Sequence, residues 1–280
     1  MIPSSYPIYG DGTVKSFDSN GSGSVFASGL SWNTGLALDG MGNLYVAEAS
    51  LGTIMKFDLS GHGSRFASGL LNPIGVACGS SGNVYVANNS GGTIVKFDAT
   101  GSGSIFASTF QGGPVGLTFD HSGNLYVGSG GYFGPSGPDG QVVKFDLGGG
   151  RSITASGFGY PFGLACDSHG NLYVADYYSG TIVKFDSGGS GSVFASNLDG
   201  PEGLAFDSSD NLYVAEITGG TVDRIDPNGN VSVFASGLAQ PAFVAVQIPE
   251  PETWVLVALG TGILVRERRS HGRRTQSVLR

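Results

Sequence analysis

Apolar and polar positions alternate along this chain in short runs of four to six residues, interrupted every eight to twelve residues by Gly, Asp, Ser or Asn. Alternation with a period of two predicts strands, and the punctuation predicts tight turns between them. From Ser31 onward the runs fall into units of four. The first follows a proline in most copies, as in Pro73-Ile74-Gly75-Val76-Ala77 and Pro201-Glu202-Gly203-Leu204-Ala205. The second is Asn-Leu-Tyr-Val, starting at Asn43, Asn83 (with Val84 for Leu), Asn124, Asn171 and Asn211. The third ends in Lys-Phe-Asp at Lys56, Lys96, Lys144 and Lys184, and drifts to Arg224-Ile225-Asp226. The fourth carries Phe-Ala-Ser at Phe26, Phe66, Phe106, Phe194 and Phe234. The asparagines step by 40, 41, 47 and 40 residues, a period that means a repeat architecture.

Four short strands per unit is the proportion of a propeller blade. In Leu172-Tyr173-Val174-Ala175 both alternating sets are apolar or aromatic, so both faces of that sheet must be covered, as when blades pack side by side. Five units are complete, at about 31–70, 71–110, 111–158, 159–198 and 199–238. One run of the first kind is left at the C-terminal side (Pro241 to Val246) and three at the N-terminal side (about 5–29). Joined, they predict a sixth blade that closes the ring and leaves no free sheet edge between blades. The expected fold is an all-β, six-bladed β-propeller over residues 5–247.

After Gln247 the repeat stops. Pro249-Glu250-Pro251 is followed by an apolar run from Trp254 to Val265 and then by Arg266-Glu267-Arg268-Arg269. The run is shorter than the ~20 residues of an ordinary spanning helix. It is expected to form a short apolar helix within a segment 248–270, with Arg266 opening a basic end held on the cytoplasmic side and 271–280 as a basic tail.

Composition changes this picture little. Gly is 49 of 280 residues, but 40% are hydrophobic and 13% charged, which excludes a disordered Gly-rich linker. The net charge of -8 is uneven: residues from Arg266 onward carry +5, and the body carries -13. An acidic body excludes nucleic acid as the partner. Cys78 and Cys166 share one offset from Pro73 and Pro161, where other units have Leu38, Phe119, Phe206 and Val246. They are expected to be buried and too far apart for a disulfide.

Candidate chemistry gathers where the second strand ends. There stand Glu48, Asn88, Asp176 and Glu216, with Ser129 in the third unit. Such a near-ring of oxygens suits Ca²⁺ at the channel mouth. Alternatively, each residue caps its own turn by accepting from local backbone amides. Glu202 is the one acid in a ring position held elsewhere by Thr34, Ile74, Val115, Phe162 and Ala242. His62, His121 and His169 fall in turns of the opposite face and His271 in the tail, which leaves no channel histidine as a base or metal ligand. There is no phosphate-cradling loop before a helix and no Ser-centred nucleophile elbow. The third unit carries an insertion within Gly128–Gly140, including Tyr132 and Phe133, expected on the face of Glu202 beside Trp32, Tyr160, Phe162, Tyr177 and Tyr178. Aromatic rings near carboxylates suit carbohydrate or peptide docking. A tolerated surface insertion is the alternative.

The stretch Gly203 to Ala215, Gly-Leu-Ala-Phe-Asp-x-x-x-Asn-Leu-Tyr-Val-Ala, resembles NHL-type repeats, and the propeller is similar to the regucalcin/gluconolactonase-like group. That scaffold serves enzymes, binders and scaffolding proteins alike. The resemblance implies a metal-dependent lactonase or hydrolase, with Glu202 at the acidic ligand position and Asp176 and Glu216 beside it. A single carboxylate in an apolar ring is a poor dication cage, so the expected role is a binding or structural module for extracellular polysaccharide or a surface protein. The lactonase is the competing reading. The tail resembles the PEP-CTERM sorting segment of Gram-negative bacteria. This implies an exosortase as partner, membrane anchoring before processing, and an address at the envelope or extracellular matrix. Proteins with such tails also carry a secretory leader. Met1 to Tyr9 does not read as one, so a leader is expected outside this sequence.

Overall fold

In the computed structural model the described residues are 12–110, 112–130, 133–134, 137–247, 254–259 and 262–266, with 133–134, 137–138, 247 and everything beyond it described as backbone only. The fold is all-β. Strands β1 (Val14–Asp18) and β2 (Gly23–Ala27) precede the first complete blade, which comprises β3 (Asn33–Leu38), β4 (Leu44–Glu48), β5 (Thr53–Phe57) and β6 (Gly63–Ala67). The second blade is β7 (Pro73–Cys78), β8 (Val84–Asn88), β9 (Thr93–Phe97) and β10 (Gly103–Ser108). In the third, β11 (Pro114–Phe119) and β12 (Leu125–Ser129) are followed by the inserted ribbon β13 (Phe133–Gly134) and β14 (Gly137–Pro138), then by β15 (Gly140–Phe145) and β16 (Arg151–Phe158). The fourth is β17 (Pro161–Cys166), β18 (Leu172–Asp176), β19 (Thr181–Phe185) and β20 (Gly191–Ala195). The fifth is β21 (Pro201–Phe206), β22 (Leu212–Glu216), β23 (Thr221–Ile225) and β24 (Val231–Ala235). Each blade is an antiparallel sheet in chain order, so the expected propeller of four-stranded blades is what forms.

The repeated residues are explained by register. Tyr45 stands opposite Lys56, and the ammonium lies 5.3 Å from the ring centre; Lys96 over Tyr85, Lys144 over Tyr126 and Lys184 over Tyr173 repeat the contact. The Asp closing each third strand makes an Asx turn: Asp58 Oδ1 accepts from the amides of Ser60 and His62, as Asp98 does from Thr100 and Ser102. On the same face Asp39, Asp120, Asp167 and Asp207 accept from the side-chain amides of Asn43, Asn124, Asn171 and Asn211. The Gly of each inner strand meets its neighbour directly. A Cβ added at Gly35, Gly75, Gly116, Gly163 or Gly203 would run into the carbonyl oxygen of Ile74, Val115, Phe162, Glu202 or Ala242 of the next inner strand.

The sixth position departs from expectation. β25 (Pro241–Gln247) packs between β21 and β3, so six inner strands surround the axis. The sheet it belongs to is not the expected one-plus-three, however, and only five complete four-stranded blades are present among the described residues. The predicted apolar helix is also absent: no described residue is helical, and no helix is long and apolar enough to cross a membrane. Its residues form β26 (Trp254–Leu259) and β27 (Gly262–Arg266) instead. β26 pairs antiparallel with β25 and with β1, at Val244↔Val257 and Lys15↔Val257, and β27 pairs antiparallel with β26. An extended run rich in Val and Leu satisfies the edges that β25 and β1 would otherwise expose, which a helix does not do. Residues 1–11, expected to supply the missing strand, lie outside the described residues.

Candidate active site

One cluster of buried and half-buried apolar side chains draws on every part of the ring: Leu36, Ile74, Val115, Phe162, Ile217 and Phe243. Only the axis brings such residues together, so this cluster marks the channel. Glu202 enters it from a bulge. Pro201 pairs with Glu216 and Leu204 with Val214, leaving Glu202 and Gly203 opposite the single residue Ala215. Bulges re-aim side chains in this way. Glu202 is 3% exposed, and its Oε2 is buried without a hydrogen-bond partner. Desolvation pushes its carboxyl well above the usual carboxylate range, which favours the protonated form.

The polar residues at the ends of the second strands have a different job. Glu48 accepts from the Ser31 amide at 3.0 Å and the Thr53 hydroxyl at 2.7 Å. Asn88 accepts from the Leu71 amide and donates to the Thr93 hydroxyl. Asp176 accepts from the amides of Gly159 and Tyr160, and Glu216 from that of Asp199. Each therefore ties down the loop that enters its own blade, some 16 or 17 residues upstream, and Glu48 and Asn88 also bond across their own turns. At least one side-chain oxygen of each is therefore engaged by the chain itself. Among the described residues no group of three or more His, Cys, Asp or Glu side chains gathers to hold a metal. Glu202 has Thr34, Ile74, Val115, Phe162 and Ala242 as its ring counterparts, so the donor set does not fit a dication.

One arrangement was not foreseen, and a second was foreseen except for Phe243. Glu216 and Asp223 are neighbouring buried carboxyls on the paired strands β22 and β23, and Glu216 Oε1 and Asp223 Oδ1 are buried without a hydrogen-bond partner. Burial and the neighbouring acid push Glu216 up to about 7. The signal was Asp223 itself, standing where other units have Met55, Val95, Val143 and Val183. The second arrangement is an aromatic series climbing from the channel: Phe243 to Phe162 at 5.6 Å between ring centres, Phe162 to Tyr160 at 5.3 Å, Tyr160 to Tyr178 at 6.1 Å and Tyr178 to Tyr177 at 5.1 Å. Phe243 occupies the inner-strand position that the complete blades give to Gly. Of the insertion, Tyr132 lies outside the described residues and Phe133 is described only as backbone, paired with Pro138. Pro249, Glu250 and Pro251 also lie outside them, while Trp254 is in β26 and Val265 and Arg266 are in β27. The histidines His62, His121 and His169 sit in turns on the face opposite these loops, as expected. Cys78 and Cys166 are free, and burial pushes both thiols up to about 12.

A family model described as the SMP-30/gluconolactonase/LRE-like region matches residues 116–247, a little under half of the chain. No curated protein matches it. Among solved structures, a gluconolactonase of Xanthomonas campestris is similar with a TM-score of 0.72 at 16% identity, over 84% of this chain and 85% of that one. A streptogramin B lyase gives 0.65 at 16% identity over 86% and 84%. A virginiamycin B lyase of Staphylococcus aureus gives 0.63 at 16% over 86% and 85%. At this identity the structural likeness establishes the propeller fold alone.

Proposed function

We propose that this chain is a hydrolase that opens a cyclic ester at its channel, with Glu202 as the acid. The observation that carries the reading is a buried carboxyl with an unpartnered oxygen, aimed by a bulge into an otherwise apolar axis. The gluconolactonase-like family match over the part of the chain that contains Glu202 supports it, and favours it over a purely binding or structural module. A protonated carboxyl in a dry site donates to the ester carbonyl oxygen and stabilises the negative charge that develops there as water adds. Ring opening consumes one water and leaves a hydroxy acid. The donor set does not fit a dication, so no step runs through one. Glu202→Gln keeps the shape but cannot deliver a proton, and should lower kcat by about 100-fold or more while melting within a few degrees of wild type. The wild-type rate should fall as pH rises through the raised pKa of Glu202, since the acid must be protonated. A wild type inert toward a panel of lactones in a pH-stat assay, or a variant as active as wild type, sinks the reading and returns the binding or structural role to first place.

We also propose that β25 together with the N-terminal strands supplies the sixth blade, supported by the place of β25 between β21 and β3. The tail is taken as a sorting segment processed by an exosortase near Pro249-Glu250-Pro251, with the propeller at the envelope or in the matrix. The order of motif, apolar run and Arg cluster supports this. Mass spectrometry of the exported protein should find the chain ending near Pro249; an intact tail in mature material refutes it.

A further inference from the structure

The channel offers a ligand one hydrogen-bonding acid and much ring surface. Glu202 has ring counterparts Ile74, Val115, Phe162 and Ala242 that belong to the apolar cluster, and the Thr34 hydroxyl donates to Pro73 O at 2.9 Å. Both oxygens of Asp176 are taken by backbone amides, as is Oε2 of Glu216, whose other oxygen is buried beside Asp223. Beside this runs the aromatic series, from Phe243, 9% exposed, to Tyr178, 56% exposed. Its inner end adjoins the acid: Phe162 and Phe243 belong to the inner strands on either side of β21, and their rings meet. Tyr177 closes on the same strand, since a Cβ added at Gly200 would lie 3.1 Å from its ring.

We infer that the site takes cyclic esters bearing an aromatic or branched aliphatic substituent, and disfavours the polyhydroxylated lactones of sugar acids. This rests on the hydrolase reading above. A sugar lactone would bury several hydroxyls against aromatic and aliphatic carbon with one acid to satisfy them, and unpaired buried hydroxyls are penalised. An apolar substituent instead stacks along the rings from the mouth toward Glu202, with its ester at the carboxyl.

The experiment compares δ-gluconolactone with 5-phenyl-δ-valerolactone on the purified full chain. The phenyl lactone should be opened with a kcat/KM at least about tenfold higher, and Tyr178→Ser should raise its KM about tenfold with kcat little changed. Equal or better turnover of gluconolactone overturns the inference while leaving the hydrolase reading intact. If neither lactone is opened, the hydrolase reading fails, and calorimetry with the matching lactam, 6-phenylpiperidin-2-one, decides the ligand class. Binding weakened by Tyr178→Ser supports the inference, and no binding overturns it.

Discussion

At the scale of single residues, the propeller is most informative where a repeat position changes chemistry. Asp223 replaces an apolar residue and neighbours Glu216, so two carboxyls are buried side by side and burial raises the pKa of both. Glu216 ordinarily titrates near 4.5 and here near 7, so the folded chain binds the proton more tightly than the unfolded one. The stabilisation from that proton is fully present below about pH 4.5 and is lost as pH rises through about 7. Asp223→Val restores the residue of Val95 and Val183. It should raise stability at pH 8 by roughly 1–2 kcal/mol and flatten the dependence of Tm on pH between 5 and 8. Calorimetric melts of both proteins across that range check this. A variant that is less stable at pH 8 would mean that the pair is satisfied as it stands.

At the scale of elements, the inner strand is the most constrained. Its Pro-x-Gly start was legible as a repeated pattern, but the pattern reads equally as a turn. The reason for the glycine is the carbonyl of the next blade, a contact between residues some 40 positions apart. Gly163→Ala would push a methyl group into the carbonyl of Glu202, and should cost about 1–3 kcal/mol and displace the acid that the reaction needs. Gly40 lies in a turn with nothing near the position of an added Cβ, so Gly40→Ala should stay within about 0.5 kcal/mol. Urea melts of the two variants make the comparison, and equal losses would refute the close-packing account. The ends of the second strands teach a similar lesson. The recurring Glu, Asn and Asp were visible, whereas their acceptance from amides 16 or 17 residues upstream depended on how the blade folds back.

At the scale of the whole molecule, closure depends on β25, which packs against both β21 and β3. A chain ended at Gln247, close to the proposed processing point, keeps this strand and should retain one cooperative thermal transition. A chain ended at Leu238 lacks it, opens the channel cluster to water, and should bind a hydrophobic dye and melt broadly. A sharp melt of the shorter chain would show that five blades close without it. The terminal sheet is also where the sequence reading departed furthest from the structure. A run of apolar residues does not by itself choose between helix and strand, and unpaired edges nearby select the strand.

The sequence by itself determined the period, the strand type, the turn chemistry and the propeller, because each follows from residues within one unit of about 40 positions. It also singled out Glu202 as the one acid in its ring. Only the tertiary structure decided that this carboxyl is dry and unpartnered, that Glu48, Asn88, Asp176 and Glu216 are latches, and that Phe243 meets Phe162. These outcomes depend on burial and on contacts between blades. Both arise from closing the ring, which brings residues far apart in the chain to one axis and excludes water from it.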